Sequence, residues 1–314
     1  MQTSKLSTYG LVMLVMVLWG VNIVFLKVLV EAFPATTMTS FRIFTAGIVV
    51  AFVVLLLKRF KRISKQEWRF IILGSLFGVV GHHYFLANGL TLTTASNGVL
   101  ILGLLPLTTS VLAAIMLKDK LSSLRVVGIV SALVGVLIII MAGSGAIGGI
   151  RVGDLLVLVA MFCQALSFIY IKKGTETMDS REMTAVMLVI GSVLLFLVSL
   201  WIEPGGGSEV IQSVTGPLVA VFLASALLST ALGHFLYNEA IHKLGAGQAA
   251  IFNNFVPFFG IVASALFLGE VIYWLQIVGF IFIVIGVLFG TGYVEEKHRK
   301  RQGNKQKPVV QKIS

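Results

Sequence analysis

The segment LLPLTTSVLAAIMLKDK, residues 104–120, places a proline inside a long uncharged run. Proline within a helix removes a backbone donor and clashes with the preceding turn, at a cost of about 3 kcal/mol. A second segment, FVPFFGIVASALFLGEV (255–271), repeats the pattern 151 residues later, with Pro257 in the place of Pro106. The two segments therefore indicate a chain built from two related halves, each containing a broken helix.

The similarity between the halves extends well beyond these two segments. A shift of 151 residues, without a gap, also pairs His83 with His234, Gly128 with Gly279, Gly135 with Gly286 and Asp119 with Glu270. Self-similarity at a fixed period is the signature of an internal duplication. We therefore predict two repeats, residues 1–145 and 146–294, followed by a basic tail at 295–314 that is disordered.

The composition indicates an integral membrane protein. The chain is 57% hydrophobic and only 12% charged, whereas soluble domains carry about 25% charged residues. A helix needs about 20 apolar residues to cross the hydrocarbon core, and the apolar runs predict an all-α protein with ten transmembrane helices. These spans are expected at roughly 8–30, 35–57, 68–89, 94–117, 123–142, 154–172, 183–202, 217–240, 245–268 and 272–293.

The basic residues indicate how these spans are oriented. Ten crossings put 21 of the 24 lysines and arginines on one side of the membrane, and an excess of this kind marks the cytoplasmic side. Both termini are therefore predicted to be cytoplasmic, and the net charge of +11 reflects topology rather than nucleic-acid binding. Five spans per repeat is an odd number, so the second repeat is expected to be inverted relative to the first.

The two mid-span prolines indicate a possible site. Each frees the carbonyl group four residues earlier, those of Leu102 and Asn253, and such groups are tolerated only against protein or a polar cavity. Paired helix breaks near mid-membrane are the usual pointer to a transporter's binding site. We predict that Pro106 and Pro257 act as hinges; the alternative is a pair of packing kinks inherited through duplication.

Several motifs resemble those of one transporter family. WGVNIVFLK (19–27) resembles the W-G-x-N-F-x-x-x-K opening of the EamA-type family in the drug/metabolite transporter superfamily. The Phe41-Arg42 pair and FLGE (267–270) resemble two further motifs of that family, whereas KDK (118–120) departs from its usual Gly-Glu. The resemblance implies ten helices around a central cavity, through which small metabolites move by alternating access.

The polar residues within the spans are the candidate substrate-binding groups. Trp19 and Asn22 lie three residues apart and share a helix face, so they either line the cavity or join neighbouring helices. Arg42 lies about 10 Å into the second span at 1.5 Å per residue, where it either extends to the membrane surface or holds a substrate carboxylate. The carbonyl of Leu102 and the side chain of Asn253 complete the predicted set.

The spans carry no aspartate or glutamate near their middle. Proton coupling, if present, would therefore fall to His83, His234 or Glu239, because imidazole titrates near neutrality. Histidines within spans are more often packing residues. The sequence slightly favours a carrier that runs down the gradient of its substrate.

An enzyme, a cofactor and a bound metal are not expected. Intramembrane catalysis needs a nucleophile–base pair, an acidic dyad or a metal cluster, and the sequence has no H-E-x-x-H motif and only scattered histidines. We predict a transporter in a bacterial cell membrane, most simply an exporter of an amino acid or similar amphipathic compound. Its partners are the small-molecule substrate and the lipid bilayer, and it is a monomer or weak homodimer. The alternatives are an uptake permease and a non-transporting sensor or scaffold.

Overall fold

The computed structural model describes residues 5–58, 60–117, 122–142, 151–237, 252–290 and 294, and within these ranges the regular structure is entirely helical. Within the described ranges, six helical segments are long and apolar enough to cross a membrane: Thr8–Ala32, Ala35–Leu56, Lys65–Leu92, Val152–Gly174, Ser180–Ile202 and Gly216–Tyr237. Shorter apolar helices occupy Ala95–Thr109, Val126–Ile139, Phe255–Leu268 and Trp274–Gly290. The protein is therefore a multi-pass membrane protein, and the count of ten spans stays a prediction.

The helices fall into a first half (residues 5–142) and a second half (residues 151–290). The first half contains α1 (Lys5–Ala32), α2 (Ala35–Leu56), α3 (Lys65–Ser75), the π-helix π1 (Leu76–Gly81), α4 (His82–Leu92), α5 (Ala95–Leu102), α6 (Leu105–Leu117) and α7 (Ser123–Ala142). The second half contains α8 (Val152–Gly174), α9 (Ser180–Ile202), α10 (Gly206–Ser213), α11 (Gly216–Leu223), the π-helix π2 (Ala224–Leu232), α12 (Phe255–Leu268) and α13 (Trp274–Gly290). The predicted tail at 295–314 and the boundary at residue 145 lie outside the described residues.

Local sequence explains where several helices begin. Ser64 and Glu67 form a capping box at α3, in which each side chain accepts a hydrogen bond from the other residue's backbone N–H, at 3.3 and 2.7 Å. Asp179 caps α9 by accepting a hydrogen bond from the N–H of Arg181 at 2.9 Å. Such caps satisfy backbone donors that the first helical turn leaves free.

The two halves pack against each other through matched helices. α2 packs on α9, and α7 packs on α13. π1 lies against α8 and α9, while π2 lies against α1 and α2. Each π-helix therefore contacts the first two long helices of the opposite half, so neither half has a separate core.

Glycines bring α7 and α13 into backbone contact. A Cβ atom added to Gly128 would lie 2.3 Å from the backbone nitrogen of Gly290, and one added to Gly279 would lie 2.6 Å from the carbonyl oxygen of Gly135. Small residues are the usual means by which membrane helices approach this closely. The contact between these helices therefore depends on the absence of side chains at these positions.

The helices break near both mid-span prolines. α5 ends at Leu102, and α6 begins at Leu105, so that Pro106 lies in the first turn, where a missing N–H costs little. Residues 253 and 254 form a turn immediately before α12, in which Pro257 is the third residue. Regular helix is therefore interrupted just before each proline.

The start of α5 is fixed by two carboxylates from the second half. Glu270 accepts hydrogen bonds from the backbone N–H groups of Ala95 and Ser96, at 2.8 and 2.9 Å. Asp154, which is fully buried, accepts one from the side-chain amide of Asn97 at 3.3 Å. These contacts secure the end of the broken helix to α8 and to the segment after α12.

Candidate functional site

The π-helix π2 forms the centre of the candidate site. Its wider turn directs the hydroxyl of Thr230 to the carbonyl oxygen of Ser225, five residues earlier, at 3.0 Å. Ser225, Ser229 and Thr230 are all buried. Single π-helical turns occur frequently at functional sites. The polar side chains of α1 and α2 converge on these three hydroxyl-bearing residues.

Arg42 is the charged group of the site. Its side chain is 1% exposed, and its Nη1 donates hydrogen bonds to the hydroxyls of Thr230 at 3.0 Å and Ser225 at 3.4 Å. Its Nε and Nη2 atoms are buried and have no hydrogen-bond partner among the described residues. The side chain is therefore enclosed by protein, and its predicted contact with a substrate carboxylate stays a prediction. Unpaired hydrogen-bond donors on a buried cation are costly. The site is therefore suited to a ligand that offers a hydrogen-bond acceptor to Nε and Nη2.

Asn22 and Trp19 reach the same π-helix from α1. The side-chain oxygen of Asn22 accepts a hydrogen bond from the Ser225 hydroxyl at 2.6 Å, so Ser225 links this amide to Arg42. The indole Nε1 of Trp19 donates to the carbonyl oxygen of Ser229 at 2.9 Å. Both residues therefore join α1 to π2, and their predicted role in substrate binding stays a prediction.

An aromatic cluster continues the site beyond π2. The Trp19 ring lies 5.3 Å from the His234 ring and 5.0 Å from the Tyr237 ring, measured between centroids. This packing needs a glycine, because a Cβ atom at Gly233 would lie 2.6 Å from Trp19 Nε1. The Nδ1 of His234 lies 2.7 Å from the carbonyl oxygen of Thr230, an arrangement that makes this nitrogen the donor.

Asn253 lies at the far end of this cluster. The preceding residue, Phe252, packs against the same buried residues as Trp19 and Tyr237, and the Oδ1 atom of Asn253 is buried with no hydrogen-bond partner among the described residues. A continuous set of contacts therefore runs from Arg42 through π2 to the aromatic cluster. Three of the five predicted substrate-binding residues, Trp19, Asn22 and Arg42, lie along it, and Asn253 follows Phe252 at its end.

The remaining predicted residues lie elsewhere or are not described. Leu102 is partly buried against the main hydrophobic core at the end of α5. His234 lies in the aromatic cluster beside π2, and the Nδ1 of His82 lies 3.0 Å from the carbonyl oxygen of Ala160 in α8. The ring of His83 lies 4.8 Å from that of His82. Glu239 lies outside the described residues.

The role of the hydroxyl groups of π2 is difficult to predict from the sequence. Serine and threonine within spans commonly bond to their own helix, so ASALLST (224–230) reads as ordinary packing. The useful signal is the duplication, since a shift of 151 residues carries π1 to 227–232, inside π2. In the first half, Gly74, Gly78 and Val79 occupy the places of Ser225, Ser229 and Thr230. At these three positions the second half therefore carries hydroxyl groups and the first half carries none.

Comparisons with known proteins agree with this architecture. A model of the EamA-like transporter family matches the chain twice, at residues 6–141 and 151–291. The chain is 30% identical to the uncharacterized transporter YyaM of Bacillus subtilis, over 85% of this chain and 88% of that protein. It is 27% identical to a probable amino-acid metabolite efflux pump of Salmonella typhimurium, over 88% of this chain and 92% of that protein.

A crystal structure supports the fold alone. It matches with a TM-score of 0.66 and covers 93% of this chain and 98% of its own, at 16% sequence identity. Sequences this different share a fold without necessarily sharing a substrate.

Proposed function

The chain belongs to the EamA-like transporter family, and on this premise we propose that it exports an amino acid or a similar amphipathic carboxylate by alternating access. The membrane is proposed to be the bacterial cell membrane, with both termini in the cytoplasm. Relatives in Salmonella typhimurium and Escherichia coli, named as probable amino-acid metabolite efflux pumps, support export as the direction.

The proposed architecture is ten spans in two inverted five-helix units, residues 1–145 and 146–294. The double match of the family model supports a duplicated unit. The packing of α2 on α9 and of α7 on α13 supports it too, because a shift of 151 residues makes each pair equivalent. A unit with an odd number of spans enters the membrane in opposite orientations when it is duplicated. Rocking of the two units then exposes one site to each side in turn.

Arg42 carries the proposal for the substrate. A guanidinium group presents a planar fork of donors that matches a carboxylate. Thr230 and Ser225 engage Nη1 and hold the group in place, while Nε and Nη2 have no partner among the described residues. We assign these two nitrogens to the carboxylate of the substrate. The rings of Trp19 and Tyr237 supply an adjacent apolar wall.

The first experiment identifies the substrate and tests Arg42. Metabolites that accumulate outside cells on overexpression are compared with those of cells lacking the protein, and the flux of each candidate is then measured in proteoliposomes. Replacement Arg42→Gln is expected to lower flux at subsaturating substrate about 10- to 100-fold, since a hydrogen bond to a charged group contributes about 1.5–3 kcal/mol. Arg62→Gln, at an exposed loop position, is the matched control and should transport normally. Normal flux in Arg42→Gln would contradict the proposal.

A further inference from the structure

A pocket of about 500 Å³ lies where the α1–α2 connection meets the end of α9 and α10. Its lining is mainly polar and includes Glu31, Pro34, Glu203, Glu209, Gln212 and Ser213. One of its carboxylates, Glu31, is paired with Lys27 at 3.0 Å. In the proposed topology this end of the molecule faces the outside of the cell.

One carboxylate of the pocket lining, that of Glu203, is hydrogen-bonded to the start of α2. Glu203 Oε1 accepts a hydrogen bond from the N–H of Thr36 at 2.9 Å, and Oε2 accepts two from the N–H and hydroxyl of Thr37, both at 2.7 Å. Bonds of a carboxylate to the N-terminus of a helix are strengthened by its charge and by the helix dipole. Glu203 thus fastens the end of α9, in the second half, to the start of α2, in the first.

The segment around this contact is tightly packed. A Cβ atom added to Gly206 would lie 2.6 Å from the hydroxyl oxygen of Thr37 and 3.3 Å from the Cβ of Glu203. Thr36 and Thr37 are almost completely buried, at 0% and 1% exposure. The two threonines that donate hydrogen bonds to Glu203 are therefore buried beside it.

Further along α2, two residues carry buried polar atoms that have no hydrogen-bond partner in the described part of the chain. The Oγ1 atom of Thr39 has no hydrogen-bond partner among the described residues, and neither do Nε and Nη2 of Arg42. Thr39 and Arg42 are three residues apart, so they share one face of α2 with an axial separation of about 4.5 Å. Unsatisfied polar groups on one helix face thus lead from the Glu203 contact to the guanidinium.

We propose that the pocket is the outer mouth of the solute pathway and that Glu203 is the latch that closes it above Arg42. The inference rests on the proposed function, since it takes a carboxylate bound at Arg42 as the solute. Release to the outside requires the bonds from Thr36 and Thr37 to Glu203 to break, after which Thr39 becomes accessible from the pocket. Glu203 therefore acts through the position of α2 and makes no contact with the solute at its central site.

Thiol labelling tests the latch without measuring transport. The only cysteine of the chain is removed by Cys163→Ala, and Thr39→Cys is introduced as the reporter. The impermeant reagent MTSET is applied from outside the cell, and the unreacted thiol is counted by a polyethylene-glycol maleimide gel shift. Glu203→Gln is expected to speed the labelling of Thr39→Cys about tenfold, which corresponds to about 1.4 kcal/mol in the closing equilibrium. Glutamine loses the charge and accepts hydrogen bonds through one oxygen only.

Two controls separate the latch from charge and from misfolding. Glu209→Gln removes a carboxylate from the same pocket and should leave the labelling rate of Thr39→Cys unchanged within about twofold, because the charge alone does not hold α2. Ser213→Cys, in the pocket lining, should react rapidly whether or not Glu203 is replaced, which shows that the outer end is intact. Thr37→Val keeps Glu203 and removes one donor to it, and should speed labelling about threefold.

Each result decides the matter. Faster labelling of Thr39→Cys in Glu203→Gln, or in Thr37→Val where Glu203→Gln fails to insert, supports the latch. If Thr39→Cys is labelled at the same rate with and without these substitutions, while Ser213→Cys reacts, the latch proposal is overturned. Rapid labelling of Thr39→Cys in the protein that retains Glu203 would overturn it as well. A normal flux in Arg42→Gln would refute the substrate assignment and leave the labelling result standing, so the two failures are distinguishable.

Discussion

The ring of Pro257 lies against Gly103, so the helix break of the second half packs on the break of the first. The Cγ atom of Pro257 is 3.0 Å from the position that a Cβ atom on Gly103 would occupy. Gly260, one turn further along α12, packs in the same way against Val99 of α5. The two breaks therefore form one packed contact between the halves, and the hinge motion predicted for this contact stays a prediction.

Substitution Gly103→Ala is expected to destabilise the protein by about 1–3 kcal/mol, because its methyl group would overlap both Pro257 and the carbonyl oxygen of Leu100. The measurement is the midpoint of thermal unfolding in detergent. Gly10→Ala is the control, since nothing lies within 4 Å of the added carbon. Identical midpoints of thermal unfolding for Gly103→Ala and Gly10→Ala would show that the two helix breaks do not pack against each other.

The double replacement Pro106→Ala with Pro257→Ala is expected to reduce transport more than membrane insertion. Alanine restores a backbone N–H and relieves the clash with the preceding turn, so each broken helix tends to become continuous and stiffer. Flux per inserted molecule is the measurement, normalised to the amount of protein in the membrane. Full flux in the double variant would show that the prolines are packing kinks rather than hinges.

The hydroxyl of Thr230 is expected to position Arg42 for its ligand. Thr230→Val preserves the shape of the side chain and removes the acceptor 3.0 Å from Nη1, so the substrate KM should rise about 5- to 10-fold, or about 1–1.4 kcal/mol. The matched control is Thr45→Val, whose lost hydroxyl bonds only to the carbonyl of Phe41 in its own helix. An equal rise in KM in both variants would show that the Thr230 hydroxyl does not position Arg42 for its ligand.

Glu270 is expected to stabilise the start of α5 without belonging to the solute site. Glu270→Gln loses part of a carboxylate contact with Ala95 and Ser96, so stability should fall by about 1.5–3 kcal/mol. Thermal unfolding in detergent measures the change, with Glu176→Gln at an exposed loop position as the control. Unaltered stability alongside a changed substrate KM would instead assign Glu270 to the site.

The sequence predicts the class of protein well because the relevant forces are local or compositional. Apolar runs of sufficient length predict membrane helices, and the prolines at 106 and 257 predict helix breaks, since both effects act on the segment that carries them. Gly128 and Gly279 occupy equivalent positions in the two repeats, and each lies in the close contact between α7 and α13.

The candidate site was harder to predict from the sequence, because its contacts join residues that are far apart in the chain. Whether Arg42 extends to the surface or turns inward depends on hydroxyls of π2 nearly 190 residues away, at a sequence separation of 188 for Thr230. The role of Glu203 likewise depends on which helix N-terminus the fold brings to it. A five-residue spacing of side chains on π2 follows from π-helical geometry, which the amino-acid pattern does not specify.

Binding of the substrate and of its carboxamide to the purified protein tests the central claim most directly. The protein with Arg42 is predicted to bind the carboxylate at least about tenfold more tightly than the amide, a difference of about 1.4 kcal/mol, and Arg42→Gln should bind both about equally. A preference for the carboxylate that persists in Arg42→Gln would contradict the account, because another group would then be holding the acid.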